Sequence, residues 1–90
     1  MERDWHAAVW LVLVEECGAA PDDWPSFALA WPRCEEYRFI GTLGFGGKVW
    51  AGLVDGAPFV SCYREDETPE RLATIARANE RLAALWRAVD

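Results

Sequence analysis

The stretch that decides the fold is EYRFIGTL (36–43), GFGG (44–47) and KVWAGLVDGAPFVSCY (48–63). Its first part alternates in a way that is typical of a strand with one covered face. The glycine-rich part tolerates positive φ and therefore predicts a turn. Asp55-Gly56 divides the last part and is a strong signal for a two-residue hairpin. Together these signals predict a three-stranded antiparallel meander.

Strand alternation also predicts which side chains share a face. One face of the first strand would carry Tyr37, Phe39, Gly41 and Leu43, and the other would carry Glu36, Arg38, Ile40 and Thr42. Pro58 has no N–H for a ladder hydrogen bond, so we expect the third strand, residues 57–63, to begin there or to lie at an edge.

A helix is predicted before this sheet. Asp4 can cap a helix that begins at Trp5, and Gly18 is a suitable end. Residues 9–14 are rich in β-branched side chains, so a buried strand is the alternative. We favour the helix, and because it is apolar on more than one side, we expect part of it to meet the sheet edge or another chain.

The segment between this helix and the sheet, residues 19–32, contains three prolines and predicts a loop. Residues 22–25 have the composition of a turn. Phe27, Leu29 and Trp31 alternate, and this spacing predicts a short extended segment at the sheet edge.

A second helix is predicted after the sheet. Thr68 can cap it, Pro69 suits its first position, and its apolar pattern runs to about Val89. Its apolar stripe, with one polar member, consists of Leu72, Ile75, Asn79, Leu82, Trp86 and Val89. In a coiled coil, Asn79 at an a position would set the register of self-association. The alternative, which we favour, is a helix on the sheet with Asn79 bonded to nearby backbone.

The expected fold class is therefore α+β, in the order helix, three-stranded antiparallel meander, helix (αβββα). We expect residues 1–90 to form one small domain with both helices on one sheet face. Six Trp, four Phe and two Tyr supply enough apolar area for a core that needs neither disulfide nor metal.

Charge narrows the range of functions. The formal net charge of −6 argues against direct binding to nucleic acid and permits a basic protein partner. The apolar run from Ala7 to Val14 is too short to span a membrane and has no cleavage site after it. We expect no membrane association and a cytoplasmic protein.

Motifs for nucleotide or RNA binding are incomplete in this sequence. In the segment 41–49, Thr42 stands where a phosphate loop needs glycine, and Val49 stands where it needs a hydroxyl. The segment 43–50 half-resembles the aromatic strand of RNA-recognition sheets, but its leading residue is Leu43 rather than a basic residue. A glycine-rich hairpin explains these residues better.

The cysteines and the single histidine give no clear catalytic or metal-binding pattern. Cys17, Cys34 and Cys62 are widely spaced and are expected to be reduced and mostly buried. We therefore expect no metal, no cofactor and no enzymatic activity. A small enzyme that uses Cys34 or Cys62 with His6 is the second alternative.

Two segments, 43–48 and 61–72, resemble a group of short proteins carried by phages and prophages of high-GC bacteria, and the resemblance extends over roughly residues 36–85. It implies a setting, the cytoplasm of a bacterial host, and no known activity. Small acidic phage proteins often bind and block a host machine, and by analogy of size and charge an anti-CRISPR role is the most concrete version.

The leading hypothesis is therefore a non-enzymatic inhibitor of a bacterial defence complex, whose partner is a protein or ribonucleoprotein with a basic surface. Acidic residues would steer association and Trp side chains would anchor it. The predicted contact residues are Glu15, Glu16, Asp22, Asp23, Trp24, Trp31, Glu35 and Glu36. For the two Trp, which lie in a proline-rich segment, packing as lids is the favoured alternative. The main alternative is a phage assembly protein that forms a homodimer through the first helix or the Asn79 stripe.

Overall fold

The computed structural model describes residues 4–63 and 68–88, so Val89, where the last helix was predicted to end, lies outside the described residues. The elements in chain order are α1 (Trp5–Glu16), α2 (Trp24–Ala30), β1 (Arg38–Thr42), β2 (Lys48–Val54), β3 (Ala57–Tyr63) and α3 (Pro69–Ala88). The strands form one antiparallel sheet in the order β1-β2-β3. The predicted α+β class and the helix–meander–helix order are confirmed.

Helix α1 begins and ends where the sequence predicts. The Asp4 carboxylate accepts a hydrogen bond from the Ala7 N–H at 3.1 Å, which satisfies one of the free donors of the first turn. Gly18, at φ +77°, takes the left-handed conformation that follows the helix. The alternative strand over residues 9–14 is wrong, and one side of the helix buries Val9, Val12 and Leu13.

Residues 21–33 are helical, which corrects the predicted loop and extended segment. Short 3-10 turns, Pro21–Asp23 and Trp31–Arg33, flank α2. The prolines fit because each lies at the start of its element, where an N–H is not needed. Phe27 and Trp31, four residues apart, are buried together, whereas Leu29 is 80% exposed. The apolar period here is therefore that of a helix, not of a strand.

A bulge in β1 changes the predicted faces of the first strand. Phe39 pairs with Trp50, and Gly41, rather than Ile40, pairs with Val49. The extra residue resets the alternation, so Phe39 and Gly41 do not share a face. Ile40 is 5% exposed, although the sequence grouped it with polar neighbours.

The core lies between one face of the sheet and the helices. The sheet contributes buried side chains at alternate positions of β2 and β3, among them Val49, Ala51, Val60 and Cys62. Helix α3 packs on β3 and α1 and buries Ala78 and Leu82. The Thr68 hydroxyl accepts a hydrogen bond from the Arg71 N–H at 3.3 Å, which confirms the predicted cap. None of the helices in the described part of the chain has the length and apolar character needed to cross a membrane.

Candidate binding surfaces

The structure places Glu15 and Glu16 against α3. The Arg81 guanidinium contacts the Glu15 carboxylate and donates to Glu16 at 3.3 Å, and Arg77 lies 3.9 Å from Glu16. The hydrogen bond to Glu15 raises the pKa of Arg81 above its usual value, and Glu16 adds to this effect. These two carboxylates hold α1 to α3, and the positive charges of Arg77 and Arg81 largely balance their negative charge.

In the second acidic pair, Asp22 lies at the surface and Asp23 has a structural role. Asp23 is 8% exposed, and its carboxylate accepts a hydrogen bond from the Ala20 N–H at 2.9 Å. It therefore fixes the turn before α2. Asp22 is exposed.

The third acidic pair, Glu35 and Glu36, is exposed at the entrance to β1. With Pro32 and Arg38, the two residues line an open hollow of about 360 Å³. Their backbone is well anchored, because the Glu35 carbonyl accepts a hydrogen bond from the Leu53 N–H at 2.7 Å. The three acidic pairs thus lie on three separate parts of the fold.

The two tryptophans predicted as anchors differ in exposure. Trp31 is 3% exposed and stacks on Phe27 and His6, with ring centroids 5.7 and 5.5 Å apart. Trp24 is 42% exposed and meets Trp10 and Trp31 edge-on at 5.1 and 5.4 Å. Trp31 is therefore part of the core, and Trp24 is the accessible end of the same aromatic cluster.

The Asn79 stripe is used within the molecule. The Asn79 amide donates to the Val60 carbonyl at 2.8 Å and accepts from the Val60 N–H at 2.9 Å. Leu82 is buried, and Ile75 and Trp86 are half-buried, so of the described members only Leu72 is exposed. The favoured reading of a helix lying on the sheet is confirmed, and the stripe does not form a free coiled-coil seam.

The outer face of the sheet carries a group of aromatic side chains that the sequence analysis did not single out. This group, called here the aromatic face, consists of Tyr37, Phe39, Trp50, Phe59 and Tyr63. Trp50 is its centre: it meets Phe39 edge-on at 5.1 Å and stacks on Tyr63 at 4.9 Å. Tyr37 and Phe59 lie 5.9 Å apart at the other end. Exposed fractions of 40%, 45% and 42% for Tyr37, Phe39 and Phe59 show that this face is open.

A signal for this face was present in β3. The aromatic residues lie at odd-numbered positions, 59 and 63, whereas the aliphatic and thiol side chains lie at the even-numbered positions 58, 60 and 62. Open aromatic groups of this kind are a mark of interaction sites, because they bury much area on contact at a small cost in side-chain entropy. The aromatic face is therefore the strongest candidate binding surface.

The described residues do not form a catalytic or metal-binding arrangement around His6. Its ring stacks on Trp31 and lies 3.9 Å from Asp4, while the Cys34 thiol lies 3.4 Å from the carbonyl oxygens of Glu36 and Ala51. Burial raises the pKa of Cys34, which opposes a nucleophilic role. Within residues 4–63 and 68–88, no group of three or more His, Cys, Asp or Glu could hold a metal ion.

No known protein family, curated protein or solved structure matches this chain.

Proposed function

We propose that this protein is a non-enzymatic inhibitor that binds a bacterial defence complex through its aromatic face. The observation that carries the proposal is the open aromatic group on an otherwise well-packed small domain. Large rings in the centre of an interface supply most of the binding energy of a typical protein complex. The resemblance to phage and prophage proteins supports the setting, and an anti-CRISPR role is the most concrete form.

Charge supports a basic partner. The chain carries −6 overall, and the exposed carboxylates of Glu35 and Glu36 directly precede Tyr37 of the aromatic face. Complementary charge at the rim of an interface mainly raises the rate of association and selects the partner. A protein or ribonucleoprotein with a basic surface and an apolar patch fits both features.

Direct binding of single-stranded nucleic acid is the main competitor for this face, because bases stack readily on open rings. Such binding also needs a positive groove for the phosphates, and the net charge of −6 opposes it. We therefore propose that the ring surface contacts protein.

The first test removes two exposed rings of the aromatic face. We expect the double substitution Phe39→Ser and Phe59→Ser to weaken binding to the target complex by at least about 100-fold, because two exposed aromatic anchors are lost. The measurement is the Kd for purified CRISPR effector complexes, together with phage plating efficiency in bacteria that carry the same active system. Wild-type protein should restore plating, and the double variant should not.

Leu29→Ser is the matched control, since Leu29 is 80% exposed and lies on α2 rather than on the sheet. It should bind as the wild type does. Circular dichroism and thermal unfolding establish that both variants fold. A folded double variant with wild-type affinity would exclude the aromatic face as the binding surface. The inhibitory function would be excluded if the wild-type protein did not restore plating in bacteria that carry any of the defence systems.

The second test concerns steering. We expect Glu35→Lys with Glu36→Lys to slow association about tenfold at low salt and to make the rate less dependent on salt, since opposite rim charges accelerate encounter. Stopped-flow or surface-based kinetics at two salt concentrations measures this. Glu80→Lys, which reverses one exposed charge on α3, is the control that shows how far a change in net charge alone affects the association rate. Equal association rates for the double variant and the wild type would contradict steering by these two residues.

A phage assembly protein that self-associates is the second candidate, and α1 supplies the observation in its favour. Leu11 and Val14 lie about one turn apart on this helix and are each 40% exposed. Multi-angle light scattering tests this alternative. A concentration-dependent dimer that Leu11→Ser with Val14→Ser abolishes would favour it, whereas a monomer at high concentration would eliminate it.

A further inference from the structure

A cavity of about 300 Å³ lies where the end of α1, strand β3 and the first turns of α3 meet. It lies on the inner side of the sheet and is distinct from the aromatic face. Its lining residues are Glu16, Cys17, Gly18, Cys62, Arg71, Thr74 and Ile75. Two of the three cysteines of the chain therefore open into one space, although 44 residues separate them in sequence.

The two thiols are in contact. The Cys62 side chain makes a hydrogen bond with the Cys17 thiol, and this bond is the main reason that the pKa of Cys17 is raised. Burial and the nearby carboxylate of Glu16 act in the same direction. The positive charge of Arg71 acts in the opposite direction, because it favours a thiolate in the same cavity.

We propose that Cys17 and Cys62 are an oxidisable pair, and that a small peroxide entering this cavity converts them to an intramolecular disulfide. The inference is independent of the proposed function. It depends on two thiols in contact, a cavity large enough for hydrogen peroxide, and a cation beside them.

The reaction proceeds in two balanced steps. The thiolate of one cysteine attacks one oxygen of hydrogen peroxide; an S–O bond forms, the O–O bond breaks, and the hydroxide that leaves takes up the thiol proton as water. The sulfur of the other cysteine then attacks the sulfenic acid; the S–S bond forms, the S–O bond breaks, and a second water leaves with the proton of the second thiol. In total, two thiols are oxidised and one peroxide is reduced to two waters.

Arg71 places a positive charge in the cavity and favours a thiolate on the cysteine that attacks. The hydrogen bond between the two thiols brings the second sulfur close to the first. The second thiol is then in place to resolve the sulfenic acid, which limits further oxidation.

Because Gly47 has no side chain, there is room beside it for the Cys62 sulfur. A Cβ at this position would be 3.1 Å from that sulfur and 2.9 Å from the Phe45 ring. The absence of a side chain at Gly47 thus preserves the position of Cys62 opposite Cys17.

The product would join the end of α1 to β3. A cross-link across this span of chain removes many conformations of the unfolded state, so the oxidised protein should be the more stable form. We expect its Tm to rise by roughly 10 °C.

The experiment treats the folded full-length protein with hydrogen peroxide, removes the excess, unfolds the protein in N-ethylmaleimide and measures its mass. We expect the product to carry one maleimide, on Cys34, in place of three, and its mass to show the loss of two hydrogens. Peptide mapping should identify a Cys17–Cys62 cross-link. The rate should rise about tenfold per pH unit near neutrality, since the thiolate is the attacking form.

Cys34→Ser is the matched control, because Cys34 is also buried but contacts backbone carbonyls instead of a thiol. It should form the disulfide at the wild-type rate. Cys17→Ser should form none. Three reactive thiols after peroxide treatment of the folded wild type would overturn the proposal, as would a cross-link to Cys34 or pairing that occurs only in denaturant.

Discussion

Replacement of Phe27 by alanine is expected to lower the free energy of unfolding by about 4 kcal/mol, which is a large share of the stability of a domain of this size. The Phe27 side chain is fully buried. Its ring stacks on Trp31 and meets Trp10 at a tilt, with both centroid distances 5.7 Å. The substitution removes this ring from the middle of the aromatic cluster that joins α1, α2 and β1, and the rigid neighbouring rings cannot close the space.

Gly41 provides a specific check on this prediction. A Cβ on Gly41 would lie 2.7 Å from the Phe27 ring, so Gly41→Ala should destabilise the wild-type protein by about 2 kcal/mol. In the Phe27→Ala background the ring is gone, and the same change should be neutral or stabilising by up to about 1 kcal/mol. Urea unfolding of the four proteins in this cycle measures the coupling. Additive effects would show that the ring and the glycine do not meet as described.

The second large effect is expected at Asn79. Asn79→Leu keeps the side chain's approximate size but removes both hydrogen bonds to Val60 and the bond from the amide to the Ile75 carbonyl at 3.2 Å. Strand β3 is an edge of the sheet, and the amide satisfies one N–H and one C=O that have no neighbouring strand. We expect a loss of about 3 kcal/mol, because two partly buried backbone groups are left unsatisfied.

Thermal unfolding measures this loss as a decrease in Tm of about 15 °C. Glu80→Ala, an exposed change on the next residue of α3, is the control and should shift Tm by very little. Increased dimer formation by Asn79→Leu, with unchanged stability of the monomer, would instead support the coiled-coil reading of this stripe.

Local signals in the sequence correctly located most elements. The Asp4 and Thr68 caps begin α1 and α3, and Asp55-Gly56 turns with positive φ at both residues. Each of these signals acts within three or four residues, so it can be recognised without knowing which distant residues pack against it. Helix α2 was missed because its seven residues also contain an alternating apolar pattern, and a short pattern fits both periods.

The candidate surfaces could be read only in part. Residues 49–51 of β2 are all apolar, so periodicity cannot say which of them faces the core. Glu15 and Glu16 were predicted to contact a partner, and the arginines that pair with them come more than 60 residues later in the chain. Whether an acidic pair is available to a partner depends on such distant contacts.

The sequence by itself determined the order of the elements and the positions of most caps and turns, because backbone preferences and capping hydrogen bonds are local. Only the tertiary structure decided that α2 is helical, that Trp31 is buried, that the aromatic face is open and that Cys17 meets Cys62. The physical reason is that burial is a property of the assembled layers. A side chain is covered or open according to what the rest of the chain places against it.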